Sequence, residues 1–109
     1  MYVYILSNSH KTVFYTGVTN NIFRRMFEHK SGLIEGFSKK YHCSLLLWYR
    51  ELSGETDAIT FEKSLKKYSR SAKLKLITKD NPELNDLAKD WDFGDLTVPL
   101  EYTQFPGMH

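Results

Sequence analysis

Cysteine, proline and long hydrophobic runs are all scarce in this chain. Its 109 residues include one cysteine and three prolines, and no segment approaches the run of about 20 apolar residues that crosses a bilayer. Cys43 has no partner for a disulfide, and His42 beside it adds only one further ligand to any zinc site. These absences exclude a disulfide scaffold, a zinc finger and a membrane-spanning helix.

The composition is typical of one small folded domain. Hydrophobic residues make up 41% of the chain and aromatic residues 15%, which excludes a disordered or fibrous chain. A chain of this length has room for a single domain with one core. The first seven residues have neither the basic region nor the long apolar segment of a signal peptide, so we expect a soluble, cytoplasmic protein with no membrane partner.

The charges divide the chain into a basic body and an acidic tail. Residues 1–79 contain 14 Lys and Arg against 6 Asp and Glu, whereas residues 80–109 contain one lysine, Lys89, against 7 acids. A basic body favours a polyanionic partner, since Lys and Arg that neutralise phosphates release condensed counterions. Ordinary solvated helix faces explain the charge equally well. A further hypothesis is that the acidic tail folds over the basic face as a phosphate mimic or pairs with another subunit.

Two short runs rich in β-branched and aromatic residues predict a β-hairpin. They cover residues 2–6 and 13–17, and the polar segment between them favours an even-residue turn with Ser9 at its centre. Such a turn places Tyr4 opposite or diagonal to Tyr15, with both rings on one sheet face. Apolar residues on both strand faces indicate a sheet that is covered on two sides.

A third strand and two helices are predicted in the middle of the chain. The run at residues 45–49 predicts the strand, and apolar residues at helical spacing predict the helices around it. The first helix follows a cap signal at residues 19–21 and continues to about Lys30. The second helix has Thr56 or Asp57 as its expected cap.

Two further helices and an irregular tail are predicted at the end of the chain. Ser69 or Ser71 can cap the first of these helices. The Asn-Pro pair at residues 81–82 predicts a short helix to about Lys89, because proline is favoured at the first helical position. From Trp91 onward, repeated breakers predict irregular structure.

Five elements of the sequence form a spacing pattern that resembles the GIY-YIG nuclease family. They are Tyr4, the Tyr-Thr-Gly triplet at residues 15–17, Arg25, His29 and Glu62. The resemblance covers about residues 2–80 and is to the small single-domain bacterial members and the N-terminal domain of excision-repair nucleases. It implies an α+β fold in which a small three-stranded antiparallel sheet is flanked by helices.

Two positions depart from the motif of that family. Tyr2 stands where the first glycine of the motif is expected, and Thr16 replaces the middle isoleucine of the second triplet. Neither residue is among those predicted to take part in the reaction. The resemblance implies a nuclease-like domain over residues 1–80, and we expect residues 81–109 to form a short helix and an acidic irregular tail docked on the same domain.

Arg25 and Glu62 suit phosphodiester hydrolysis by their residue types. That reaction needs an activated water, compensation of charge on the phosphate oxygens and stabilisation of the leaving oxygen. Arg25 presents a charged planar fork to phosphate, although a solvent-exposed arginine is the ordinary alternative and is preferred for Arg24. Glu62 falls within or beside an apolar stripe, where carboxylates are seldom unpaired. It either pairs with a core-edge arginine or is one ligand to a single Mg²⁺ or Mn²⁺.

Tyr4, Tyr15 and His29 take their predicted catalytic roles mainly from the resemblance. An unperturbed phenol has a pKa near 10 and is a poor base, and packed strand aromatics are the ordinary alternative. The resemblance implies Tyr4 as a general base or water-positioning group and Tyr15 as a phosphate or water contact. His29 lies one turn after Arg25, so both can face one cleft, and His29 could relay a proton. Taken alone, it would be a cation at a helix C-terminus.

The remaining predicted contacts are to nucleic acid, with DNA favoured. Gly17 would let backbone approach the ligand closely. A series of basic residues could line a groove that tracks the phosphate backbone: Lys39, Lys40, Lys66, Lys67 and Arg70. Without a sequence-reading motif, binding should depend on backbone or shape and fall with salt. The predicted function is a metal-dependent endonuclease in DNA repair or recombination; the alternative is a catalytically weak nucleic-acid-binding module of the same fold. The oligomeric state is left open.

Overall fold

The fold is built on a small antiparallel sheet with helices on both sides. The computed structural model describes residues 1–94 and residue 96. Within them the strands are β1 (Tyr2–Ser7), β2 (Phe14–Thr19) and β3 (Leu45–Glu51), and the helices are α1 (Ile22–Lys30), α2 (Phe37–Lys40), α3 (Glu55–Lys66) and α4 (Arg70–Asp80). The strand order is β2-β1-β3, and both pairings are antiparallel. The predicted α+β fold is confirmed, and the four-residue α2 lies between the first predicted helix and the third predicted strand.

The turn between β1 and β2 is organised by Asn8. Its carbonyl accepts the Lys11 N–H at 3.1 Å, which makes Ser9 and His10 the central residues of a β-turn. The strand register pairs Ser7 with Phe14, so the hairpin as a whole is centred on residues 10–11, later than predicted. The Asn8 side-chain Oδ1 also accepts the N–H groups of Thr12 at 2.9 Å and Val13 at 3.1 Å. One asparagine therefore satisfies most of the free backbone donors of the turn, which is a common role of this residue.

The register of β1 against its two neighbours determines which side chains share a face. Tyr4 pairs with Gly17 of β2 and with Tyr49 of β3, so these three residues form one row across the sheet. Tyr15 pairs with Leu6 and is therefore diagonal to Tyr4. This is one of the two arrangements predicted, and strand alternation places both rings on the same face.

Both faces of the sheet are covered, as the apolar residues on both strand faces predicted. One core joins the sheet to α3 and α4 through Val3, Ile5, Leu47, Trp48, Ala58, Leu65 and Ile77. The other joins the sheet to α1 and to residues after α4 through Tyr4, Leu6, Ile22, Met26, Cys43, Leu46 and Ala88. The helices α1 and α3 therefore lie on opposite faces of the sheet.

The starts of α1 and α4 follow the cap signals in the sequence. The Asn21 side chain accepts the Arg24 N–H at 3.0 Å, and the Ser69 hydroxyl accepts the Ala72 N–H at 3.1 Å. Each cap satisfies one backbone donor of the first turn that has no partner within the helix.

The start of α3 differs from the prediction. The helix begins at Glu55 after an extended Gly54, so the prediction that Thr56 or Asp57 caps it is wrong. Glu55 and Asp57 lie within the first turn of the helix, where their negative charges interact favourably with the positive end of the helix dipole.

The short helix predicted for residues 82–89 is not formed, and that prediction is wrong. Asn81 Nδ2 donates to the Leu47 carbonyl at 3.0 Å and to the Asn85 carbonyl at 2.8 Å, and its Oδ1 accepts the Asn85 N–H at 3.1 Å. Leu84 adopts a left-handed φ of 55°. The Asn81 side chain thus binds this segment into a turn against β3 and does not cap a helix.

Asp86 connects the same segment to α1 and β3. Its Oδ1 accepts the Leu46 N–H at 3.0 Å, and its Oδ2 lies 2.6 Å from the ammonium of Lys30. The Leu87 N–H donates to the Leu46 carbonyl at 2.8 Å. These contacts hold the segment against the edge strand β3.

Residues 91–94 continue with neither helix nor strand, as predicted. The predicted irregular tail continues beyond residue 94 and, apart from residue 96, lies there outside the described residues. The hypothesis that the acidic residues 80–109 mimic phosphate or pair with another subunit stays a prediction. Across residues 1–94 and 96, no helix has the length and apolar character needed to cross a membrane.

Candidate active site

Three aromatic rings meet between β1, β2 and α1. The Tyr4 hydroxyl lies 3.0 Å from His29 Nε2, and the Tyr15 ring centroid lies 6.3 Å from that of Tyr4 and 5.6 Å from that of His29. Tyr4 is completely buried and His29 is 7% exposed. We call these three residues the tyrosine–histidine cluster. It contains three of the four residues predicted to be catalytic.

His29 reaches the cluster because it belongs to the buried stripe of α1. Ile22, Met26 and His29 recur at intervals of four and three residues, and they are the buried residues of this helix. Arg25 precedes His29 by one turn and so lies beside it on the helix.

Gly17 leaves the space that the Tyr4 ring fills. A carbon atom added at the Cβ position of Gly17 would lie 2.5 Å from both Cζ and the hydroxyl oxygen of Tyr4. The missing side chain is therefore required for packing inside the protein. The predicted close approach of a ligand to the Gly17 backbone stays a prediction.

Burial keeps both hydrogen-bonded partners of the cluster uncharged. Burial raises the pKa of Tyr4 above its ordinary value, the neighbouring Tyr15 raises it further, and the Arg25 guanidinium lowers it only in part. Burial and then the charge of Arg25 lower the pKa of His29 to about 4. A neutral phenol and a neutral imidazole therefore face each other at pH 7. Depending on the imidazole tautomer, either the phenol O–H or the Nε2–H is the donor.

Arg25 lies between the cluster and solvent. Its charge acts on the pKa of Tyr4 and of His29, and its Nε is 3.3 Å from the Glu28 carboxylate. Arg24 also pairs with Glu28, at 3.9 Å, but its side chain is 56% exposed compared with 36% for Arg25. Arg24 is the more solvated of the two arginines, as predicted.

Glu62 lies on α3, which packs on the other face of the sheet from α1. Its side chain is 13% exposed, and its Oε2 is 3.2 Å from the Lys66 ammonium. Within residues 1–94 and 96 this is its one ion pair, and no hydrogen bond joins it to the cluster. The partner is thus a lysine one turn later, where the sequence suggested an arginine. The helix α3 packs against β2 and β1, the strands that carry Tyr15 and Tyr4, but from the opposite face of the sheet.

The basic residues predicted to contact nucleic acid are dispersed, and several have partners in the protein. Lys66 pairs with Glu62, whereas Lys67 ends α3 as an exposed residue. On α2, Lys39 pairs with Glu35 at 2.8 Å, and Lys40 lies over the adjacent Tyr41 ring.

Arg70, in the first turn of α4, contacts the turn between β1 and β2. Its guanidinium donates to the carbonyls of Lys11 and Thr12 and lies 4.6 Å from the centre of the Phe14 ring. These contacts give Arg70 a structural role. Its predicted contact to phosphate stays a prediction, as do those of the four lysines.

The motif residues and the fold agree with a comparison of the chain with known families. A family model described as the GIY-YIG catalytic domain matches residues 1–75. The chain belongs to the GIY-YIG family. The resemblance noted in the sequence is confirmed, and membership places the protein in a nuclease family.

Three relatives match this GIY-YIG chain over most of their own length. A UPF0213 protein of Syntrophus aciditrophicus is 41% identical over 83 residues, which cover 75% of this chain and 93% of the relative. UPF0213 proteins of Staphylococcus haemolyticus and Pediococcus pentosaceus are 32% and 28% identical, covering 70% and 79% of this chain and 92% and 90% of the relatives. None of the solved structures matches the chain.

The GIY-YIG family implies a divalent metal. Glu62 can supply the carboxylate oxygen that such a metal would need from the protein. In the described part of the chain, no three His, Cys, Asp or Glu side chains gather into a metal-binding group. Mg²⁺ needs no such group, because it keeps several waters and takes one or two carboxylates together with substrate phosphates. A single carboxylate that is mostly buried, as in Glu62, is a suitable ligand of this kind.

Besides the ion pair of Glu62 with Lys66, two features of the site were not predicted from the sequence. The pairing of Glu28 with both arginines could have been found, because it lies three and four residues after them. An exposed groove lined by aromatic residues could not have been found from the sequence. It forms only when β1, α1, β3 and the chain after α4 come together.

The low pKa of His29 predicts a measurable dependence of stability on pH. Between about pH 6.5 and pH 4 the unfolded chain binds a proton at this histidine and the native protein does not. Lowering the pH through this window should therefore remove up to about 3 kcal/mol of stability, with the loss complete below about pH 4. Denaturant titrations at pH 7, 5.5 and 4 should show a shallower loss for His29→Gln than for the wild type.

The matched control is His10→Gln, which changes an exposed histidine of the hairpin turn. It should follow the wild-type curve. Parallel curves for wild type and His29→Gln would contradict the assignment of a depressed pKa to His29.

Proposed function

We propose that this GIY-YIG protein is a metal-dependent endonuclease that hydrolyses phosphodiester bonds in nucleic acid, with DNA favoured. The observation that carries the proposal is the 3.0 Å contact between the Tyr4 hydroxyl and His29 Nε2, with Arg25 beside both. A buried phenol and imidazole in contact provide a path for a proton. A partly exposed arginine at the same place provides a partner for a phosphate.

Arg25 would neutralise charge on the scissile phosphate. Its guanidinium stays protonated and can bind two phosphate oxygens at once. The Glu28 carboxylate at 3.3 Å would hold the guanidinium in place and exchange part of that contact for phosphate on binding.

Tyr4 and His29 would together remove the proton of the attacking water. Tyr4 is protonated, so it can give its hydroxyl proton to His29 Nε2 while it takes one from the water. The water oxygen forms the new bond to phosphorus, and the bond to the leaving oxygen breaks. The leaving oxygen takes a proton from solvent, while His29 holds the proton that Tyr4 gave up. A bound phosphate favours this transfer, since an anion stabilises the imidazolium. Tyr15, which contacts both rings, would position the water or a phosphate oxygen.

Glu62 would hold the divalent cation, Mg²⁺ or Mn²⁺, which compensates charge on the phosphate as a Lewis acid when bound. The position of β2 supports this role. Within residues 1–94 and 96, β2 is an edge strand against which α3 packs, so a group on α3 could reach past β2 toward the α1 side of the sheet. The carboxylate would leave the Lys66 ammonium as it binds the cation.

The proposal is tested by incubating the purified protein with branched, single-stranded and duplex DNA in Mg²⁺, Mn²⁺ or EDTA. We expect cleavage of at least one substrate that stops in EDTA and falls at least about a hundredfold in Glu62→Gln. Glu55→Gln, an exposed glutamate of the same helix, is the matched control and should retain activity. Equal cleavage in EDTA, or in Glu62→Gln, would contradict the proposal.

The ion pair of Glu62 with Lys66 favours a second candidate function, a nucleic-acid-binding module with weak turnover. A carboxylate already bound to an ammonium competes poorly for a cation. Salt-sensitive binding of the same DNAs, with no metal-dependent cleavage of any of them, would support this function over the first. A role in repair or recombination stays a prediction of the family resemblance.

A further inference from the structure

An aromatic groove opens on the α1 side of the sheet, next to the tyrosine–histidine cluster. It encloses about 480 Å³ and is lined by Tyr2, Ile22, Phe23, Tyr49, Trp91 and Asp92. Phe23 is 38% exposed and Tyr49 is 39% exposed. Single exposed aromatic side chains are ordinary, but several of them around one groove form a contiguous apolar patch of the kind that marks a binding site.

We propose that this groove binds an unpaired nucleobase of the nucleic-acid substrate. The rings offer flat surfaces at several orientations: Trp91 stacks on Phe23 with centroids 5.9 Å apart and planes 1° apart, while Tyr49 meets Trp91 edge-on at 6.1 Å. Tyr2 lies 6.2 Å from Tyr49. Stacking on aromatic side chains is how proteins hold unpaired bases without requiring a particular sequence.

The charges around the groove favour binding of a base inside it and of the adjoining phosphates outside it. Asp92 is the one charged residue among the six that line it, and a carboxylate repels phosphate but accepts hydrogen bonds from the amino group of cytosine. Arg24 and Arg25 follow Phe23 directly in α1 and are 56% and 36% exposed. The backbone of a bound strand would therefore lie along the arginines, with a base turned into the groove.

The groove is continuous with the candidate active site through the sheet. Tyr2 and Tyr4 are alternate residues of β1 and share a face, and Tyr49 is the direct cross-strand partner of Tyr4. A base in the groove would thus lie on the same face of the sheet as Tyr4, next to a phosphate bound at Arg25. The inference rests on the proposed function, and it specifies the substrate as single-stranded, frayed or branched at the site of cleavage.

The test measures binding in EDTA, so its outcome is separate from that of any cleavage assay. A labelled dC decamer and an abasic decamer with the same phosphates are titrated with the full chain. We expect the dC decamer to bind at least about tenfold more tightly. Tyr49→Thr, which removes the ring and places a β-branched residue that suits a strand in β3, should lose that preference while binding the abasic decamer as before. Tyr49→Phe should retain it.

Two further measurements distinguish a specific loss of base binding from misfolding of the variant. The dC decamer should quench the fluorescence of Trp91 in the wild-type protein, because Trp48 is only 1% exposed, and Trp91→Phe should lose the quenching. Tyr68→Thr, which changes a tyrosine that is 43% exposed outside the groove, should behave as wild type.

Three results would overturn the inference. They are equal affinity for the two decamers, equal loss of affinity for both decamers in Tyr49→Thr, and a protein dimer that dissociates in Tyr49→Thr. Base-dependent binding without cleavage of any DNA would support the groove and contradict the nuclease, whereas metal-dependent cleavage without base-dependent binding would do the reverse.

Discussion

Arg25→Ala is expected to lower kcat/KM for phosphodiester cleavage by about a thousandfold. Arginines that compensate charge on a transferring phosphoryl group have effects of this size, because no other group takes over their role in the transition state. The loss should be mainly in kcat, which single-turnover cleavage at saturating protein would show. Arg25→Lys should recover only a small part, since an ammonium cannot bind two phosphate oxygens in one plane.

Arg24→Ala is the matched control for this prediction. The two arginines are neighbours in α1, carry the same charge and pair with the same Glu28, but only Arg25 acts on the pKa of Tyr4 and His29. We expect Arg24→Ala to weaken DNA binding severalfold and to leave kcat nearly unchanged. Equal losses of kcat in the two variants would mean that Arg25 acts only as a positive charge on the surface.

Gly17→Ala is expected to reduce both stability and activity. The added methyl would lie 2.5 Å from the end of the Tyr4 ring, and that ring is buried and held by His29, so it cannot move aside freely. Overpacking of this kind costs about 2 kcal/mol, which lowers Tm by about 10 °C in a domain of this size. Cleavage should fall as well, since the contact between Tyr4 and His29 would be displaced. Thermal unfolding followed by circular dichroism measures the first effect.

Gly54→Ala provides the comparison. A methyl added there would meet no atom closer than 3.9 Å, and Gly54 has an ordinary extended conformation. Its effect on stability should stay below about 1 kcal/mol, the usual value for a change at a helix cap. A Gly17→Ala protein as stable and as active as Gly54→Ala would contradict the packing role assigned to Gly17.

The sequence predicts best those elements that are determined by residues close to one another in the chain. The hairpin, α1 and α4 follow from strand patterns and from side chains that bond to backbone within a few residues, as Asn8, Asn21 and Ser69 do. The segment after α4 was mispredicted because Asn81 uses its side chain on Leu47, 34 residues away. A cap signal cannot reveal that a distant carbonyl will compete for the same side chain.

The candidate site was predictable in part for the same reason. Arg25 and His29 share a helix, so their proximity follows from helical spacing alone. The contact of Tyr4 with His29 needs the fold, although the resemblance pointed to both residues. The pairing of Glu62 with Lys66 has a spacing that is visible in the sequence. It was missed because Lys66 was grouped with the outward-facing lysines.

The two contacts of Asp86 with Leu46 and Lys30 connect α1 and β3 to a part of the chain beyond the family match. The GIY-YIG match ends at residue 75, yet Asp86 joins the last residue of α1, Lys30, to the backbone of β3 at Leu46. The helix that carries Arg25 and His29 is thus anchored at its C-terminal end by a residue that the motif does not include. A fragment cut at the boundary of the motif would keep every predicted site residue and lose this connection between α1 and β3.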